Sequence, residues 1–168
     1  MWYGYVGKIA VVDLSTNNVK TIEVMKELTK LYVGGSGLGT KILYDDIPSN
    51  IDAYHPNNEL VIMTGPMTGT PFPTSGRYAA CAKSPLTGGW GEATASGFWG
   101  VELKKAGFDG IIIKGISQKP VYMYIEDGGI KLISADHLWD KGTYETFDII
   151  KSDHGKDVKV LAIGPAGE

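Results

Sequence analysis

The chain has 168 residues, 43% hydrophobic and 21% charged, with a net charge of −3 and one cysteine. That length suits a single domain able to bury most of its unfolded surface. The mildly acidic balance argues against nucleic acid, whose binders carry basic patches, Cys81 has no partner for an internal disulfide, and no apolar stretch approaches the ~18–20 residues that span a bilayer.

The first residues run straight into a strand pattern without the charged and apolar regions of a signal peptide, which points to a cytoplasmic protein. Val6–Leu14 and Val19–Val24 alternate apolar and polar positions around Ser15-Thr16-Asn17-Asn18, the pattern of a β-hairpin. Helical spacing follows over Lys26–Tyr32, stops at Gly34-Gly35, and resumes over Leu38–Asp46. After a polar loop, Leu60–Met63 reads as a buried strand ending at Gly65-Pro66, and Arg77–Lys83 as another strand. Ser96–Lys105 reads as a helix with Ser96 as N-cap and Gly107 as its stop. Ile111–Ile113 is predicted to be a central strand.

The pattern then repeats. Val121–Glu126 and Ile130–Ser134 form a second hairpin around Asp127-Gly128-Gly129, a turn suited to positive φ. Thr143–Lys151 reads as a helix and Val158–Ile163 as a strand leading to Gly164-Pro165, as Gly65-Pro66 closes the first unit. The expectation is an α+β fold of two related hairpin–helix–strand units in a duplicated domain, the second incomplete. The 168 residues then form one domain truncated at its C-terminal end.

Function is concentrated between Gly65 and Gly110, a run dense in glycine that holds the chain's single arginine, Arg77. Glycine serves where backbone must approach a partner closely or take positive φ. A guanidinium grips phosphate or a heterocycle edge through two parallel charge-assisted bonds. A salt-bridged or solvated arginine is the structural alternative. Thr94-Ala95-Ser96-Gly97 would open the predicted helix, whose unpaired N–H groups favour an anion by roughly 0.3–1 kcal/mol. A Ser cap without ligand explains the same residues. Phe98 and Trp99 read as core, while Trp90 sits in the glycine loop and is expected to be exposed.

Other motifs fail on chemistry. Gly34–Lys41 has Thr40 before Lys41, reversing the P-loop order, and a helix precedes it where a P-loop needs a strand. Successive helical residues point about 100° apart, so the exchange misdirects both groups. His55, His137 and His154 match no metal spacing, and Cys81 between two alanines reads as inert core. The carboxylates are scattered, with no pair placed for acid–base work.

The ordered motifs GKIAVVDLS (7–15), GGSGLG (34–39), GPMTGT (65–70), SGRY (75–78), KSPLTG (83–88), GFWGVELKKAGFD (97–109) and IGPAGE (163–168) resemble the N-terminal domain of the tungsten-containing aldehyde ferredoxin oxidoreductases. The likeness runs through essentially the whole chain. It implies a base built from two related halves, carrying a tungsten (or molybdenum) bis-pterin with magnesium. By the resemblance, Arg77 contacts a pterin and its phosphate. Thr94 stands where many members have asparagine, whose backbone carbonyl helps hold the magnesium, and Ser96 stands where a glycine meets the pterin. The cofactor contacts are thus expected at Arg77, Thr94, Ala95, Ser96 and Gly97, with no catalytic residue in this chain. The iron–sulfur ligands and substrate channel belong to later domains.

The resemblance further implies aldehyde substrates, ferredoxin as electron partner and a homo-oligomer, and no activity from this stretch alone. A tungsten subunit of an aromatic acyl-thioester reductase, and a non-catalytic phosphate-ligand or assembly domain, are the alternatives.

Overall fold

A computed structural model describes residues 3–167. The main sheet comprises β1 (Lys8–Asp13), β2 (Asn18–Glu23), β3 (Glu59–Thr64), β4 (Tyr78–Lys83), β5 (Trp90–Ala95) and β6 (Gly110–Lys114), ordered β2-β1-β6-β3-β4-β5. Strands β1 and β6 run parallel, and the other neighbours are antiparallel. Strands β7 (Val121–Glu126) and β8 (Gly129–Ser134) make a separate two-stranded sheet. The helices are α1 (Lys26–Tyr32), α2 (Gly35–Asp46), α3 (Trp99–Lys105) and α4 (Thr143–His154). The fold is mixed α+β.

The central strands are continuous apolar runs because both of their faces are covered. On one face Ile9, Val11, Val61, Met63, Ala79, Cys81 and Ile112 pack with Leu38 and Leu43 of α2. On the other, Ala10, Val12 and Ile111 pack with Leu103 of α3, Phe108 and the inward side of the β7–β8 hairpin. Helix α4 closes a smaller cluster of Ala135, Leu138 and Ile150. Close approach of α2 requires Gly39, where a Cβ would lie 2.9 Å from the Cys81 sulfur.

Four details depart from the expectations. Strand β5 lies inside the run read as glycine loop. It escapes periodicity because it is an edge strand with both faces largely exposed, so no apolar alternation marks it. The helix expected from Ser96 begins only at Trp99, with Phe98 at its N-cap position. Pairing of β5 continues to Ala95 and Gly97 takes φ +118°, so Thr94–Gly97 cannot form a helical turn and Ser96 caps nothing. Segment 158–163 forms no strand among the described residues: Val158 and Val160 turn inward against the α4 cluster, but no neighbouring strand offers a ladder. Helix α2 starts at Gly35, ahead of the Leu38 at which helical spacing resumes, so Gly35 and Gly37 fall in its first turn.

Glu59 is buried on the α2 side, and its Oε2 finds no hydrogen-bond partner among the described residues. Burial first, and then Asp46, push its carboxyl above the ordinary value of 4.5, against the pull of Lys114 and Lys20. A raised folded pKa gives stability that is complete below the unfolded pKa and is lost as pH rises through the folded one. Glu59→Gln removes that loss, so the variant is expected to gain on the parent sequence as pH rises from below the ordinary value of 4.5 towards neutrality. Urea unfolding at both ends of this range checks it, and a stability difference independent of pH would refute the assignment.

Candidate functional site

The open ends of β4 and β5 bring the singled-out residues together. Strand pairing sets Tyr78 against Ala95 and Ala79 against Thr94. Continued in the same register, Arg77 falls opposite Ser96 and Gly76 opposite Gly97. The backbones touch there: a Cβ on Gly76 would lie 2.3 Å from the Gly97 carbonyl oxygen. Arg77 and Thr94–Gly97 are therefore one exposed patch, although some twenty residues separate them in sequence. The ladder achieves this, not a helix N-terminus.

Arg77 is exposed, and its guanidinium enters no ion pair among the described residues. It lines a depression of about 330 Å³ with Val33, the Gly65–Thr68 turn and the Phe72–Ser75 loop. Strand β5 has one neighbour, so its outer side presents backbone groups that the sheet does not use. Phe98, expected in the core, is 71% exposed at the same end, whereas the Trp99 ring packs tilted against Tyr78, the residue after Arg77, with centroids 5.1 Å apart. Trp90 is half exposed as expected.

Sequence reasoning missed the buried supports of this patch. Thr68 accepts the Gly65 N–H and donates to the Arg77 carbonyl. Lys104 donates to the Gly65 carbonyl at 2.9 Å and stands 3.5 Å from Asp109. Tyr5 donates to the Val33 carbonyl at 2.6 Å, on the rim of the depression. A threonine in a polar loop and a lysine on a short helix carry no distinguishing pattern. Only the Ser84–Gly89 turn, with Pro85 and paired glycines, could have signalled that β4 and β5 form a hairpin.

The remaining chemistry-bearing groups lie elsewhere. Cys81 is fully buried, with its thiol pushed up to about 11 by burial and by Glu92, so it is no nucleophile or thiolate ligand at neutral pH. His154 and Tyr122 share a 2.8 Å hydrogen bond, and His137 faces Asp153 at 3.5 Å. No group of three ligating side chains is placed to hold a metal among the described residues. No helix of the described residues is long and apolar enough to cross a membrane.

An arginine free of carboxylate partners, bare glycine backbone and an uncovered edge strand, all mounted on a rigid sheet, define a supporting α+β domain. Grip and shape are what such a surface supplies. Residues 9–168 match the family described as aldehyde ferredoxin oxidoreductase, N-terminal domain, and the chain belongs to that family. It is similar to the tungsten-containing aldehyde ferredoxin oxidoreductase of Pyrococcus furiosus, at 43% identity over 167 residues, covering 99% of this chain and 28% of that protein. The aliphatic sulfonate oxidoreductase, WOR-like subunit, of the same organism is 33% identical over 94% of this chain and 25% of its own length. Among solved structures, the active-site complex BamBC of benzoyl coenzyme A reductase, with 1,5-dienoyl-CoA, superposes with a TM-score of 0.89 at 36% identity. That match covers 91% of this chain and 23% of the BamBC chain. The chain spans about a quarter of the length of each of these relatives.

Proposed function

We propose that this chain is the base on which a tungsten (or molybdenum) bis-pterin rests in a cytoplasmic oxidoreductase that interconverts aldehydes and carboxylic acids, with ferredoxin as electron partner. The observation that carries this is the convergence of the unpaired Arg77 with the exposed Thr94–Gly97 backbone at the end of the β4–β5 ladder. The patch fits the group. A guanidinium without a competing carboxylate is available to a phosphate, and small side chains at Ala95 and Gly97 let a flat heterocycle lie against the backbone.

In this reading Arg77 holds a pterin and its phosphate. Ala95, Ser96 and Gly97 would form the floor, and the Thr94 carbonyl would help hold magnesium, a hard cation that accepts carbonyl oxygens beside phosphate oxygens. When bound, the cofactor supplies the redox chemistry, and the chain supplies orientation and charge. The iron–sulfur cluster takes its ligands from outside this chain, since Cys81 is sealed behind Gly39. The β7–β8 hairpin and α4 begin a second unit related to the first, and the other pterin's contacts come from the second half of that repeat.

The likeness to BamBC supports a second reading, in which the same base serves a tungsten subunit acting on an aromatic acyl thioester. The higher identity to the aldehyde enzyme favours the first. A non-catalytic phosphate-ligand or assembly domain would use the same arginine without metal. The test is Arg77→Ala in the full-length parent protein: tungsten and pterin content per folded polypeptide are expected to fall well below those of the unaltered protein. Unchanged content in folded protein would overturn the cofactor assignment.

A further inference from the structure

We propose that Thr68 is a positioning residue for Arg77, an inference that rests on the reading of Arg77 as the cofactor's grip. Arg77 lies one residue outside the sheet. The β3–β4 ladder ends at Thr64 opposite Tyr78, and the β4–β5 ladder ends at Tyr78 opposite Ala95. Strand pairing therefore does not hold the Arg77 carbonyl. The Thr68 hydroxyl takes the place of the next rung, donating to that carbonyl at 3.0 Å while accepting the Gly65 N–H at 3.2 Å.

Thr68 is itself buried at 5% exposure, which is unusual for a turn residue flanked by Met67 and Gly69. Its turn is closed by the Thr68 N–H donating to the Gly65 carbonyl at 3.1 Å, and the same carbonyl receives the Lys104 ammonium. The other side of the turn is fixed by close packing, since a Cβ on Gly34 would lie 2.9 Å from the Gly65 Cα. An unbroken relay thus runs from the buried Lys104 through Gly65 and Thr68 to the main chain of Arg77. Its effect is pre-organisation. The long arginine side chain starts from a fixed backbone atom, so less freedom is lost when it closes on an anion.

The experiment uses the full-length parent protein and reads tungsten and pterin retained per folded polypeptide after extensive dialysis. The variants are Thr68→Val, Thr68→Ser, Arg77→Ala, and Thr68→Val combined with Arg77→Ala. Thr68→Val keeps the shape and removes the hydroxyl, and is expected to weaken cofactor retention roughly 3- to 10-fold. Thr68→Ser restores both hydrogen bonds and is expected to retain cofactor as the unaltered protein does. In the Arg77→Ala background, Thr68→Val is expected to add no further loss, because its effect passes through Arg77. If Thr68→Val does not accumulate folded, Thr68→Ala is read in its place. Equal losses from Thr68→Val in both backgrounds, no loss at all beside a clear Arg77→Ala loss, or failure of a folded Thr68→Ser variant would each overturn the positioning role. Unchanged retention in Arg77→Ala would instead overturn the cofactor reading beneath it.

Discussion

Lys104→Met is expected to remove about 3–5 kcal/mol of folding stability, the cost of leaving a buried charge without its partner. The Lys104 side chain is 10% exposed and that of Asp109 3%, with the ammonium and carboxylate 3.5 Å apart. Lys104 also donates to the Gly4 and Gly65 carbonyls, and the Tyr5 ring lies 5.8 Å away. Asp109 in turn accepts the Val6 N–H at 3.0 Å and the Gly7 N–H at 2.6 Å. Burial pulls the Lys104 pKa down while Asp109 pulls it back up, so the cation depends on its partner.

Methionine preserves the apolar stem but leaves the carboxylate without its cation and takes one donor from each of the Gly4 and Gly65 carbonyls. Combining Lys104→Met with Asp109→Asn removes the uncompensated charge and keeps an acceptor for one of the two N–H groups, so part of the loss is expected to return. Denaturant unfolding measures both variants. A loss under about 1 kcal/mol, the worth of an exposed ion pair, would mean that the pair is solvated after all.

Gly76→Ala is expected to cost about 1–3 kcal/mol by overpacking and to open the end of the β4–β5 ladder. The obstacle is a backbone atom: the new Cβ would lie 2.3 Å from the Gly97 carbonyl oxygen, and a main-chain carbonyl has no rotamer by which to escape. The strand ends must part, which separates Arg77 from Ser96 and Gly97. Amide exchange at residues 95–98 should accelerate while the sheet centre stays protected. In the full-length protein, cofactor content should fall as well, if the patch holds the pterin as proposed. Unaltered exchange at these amides would show that the strand ends tolerate the methyl and are not in contact.

Much of the architecture was readable because its signals are local. The hairpins announce themselves by alternation around Ser15–Asn18 and Asp127–Gly129, and α1 ends where Gly34 and Gly35 follow. The family motifs are equally local, since each is a short run of residues in order. What failed to read was whatever depends on a distant partner. Strand β5 exists because β4 offers it a ladder, and residues 158–163 are not a strand because nothing among the described residues does. Ser96 looks like a helix cap until the ladder and the positive φ of Gly97 remove the helical turn it would cap.

The patch shows the same division. Residue chemistry left Arg77 open between a ligand grip and a solvated or salt-bridged side chain, and Thr94–Gly97 open to a plain Ser cap; the resemblance to the family is what nominated them as contacts. That these two segments form one surface is a property of strand register, which joins residues far apart in the chain at fixed spacing. Thr68 and Lys104 emerge from the same source: a hydroxyl or an ammonium gains its role from the carbonyl it faces, and no sequence spacing encodes which carbonyl that will be.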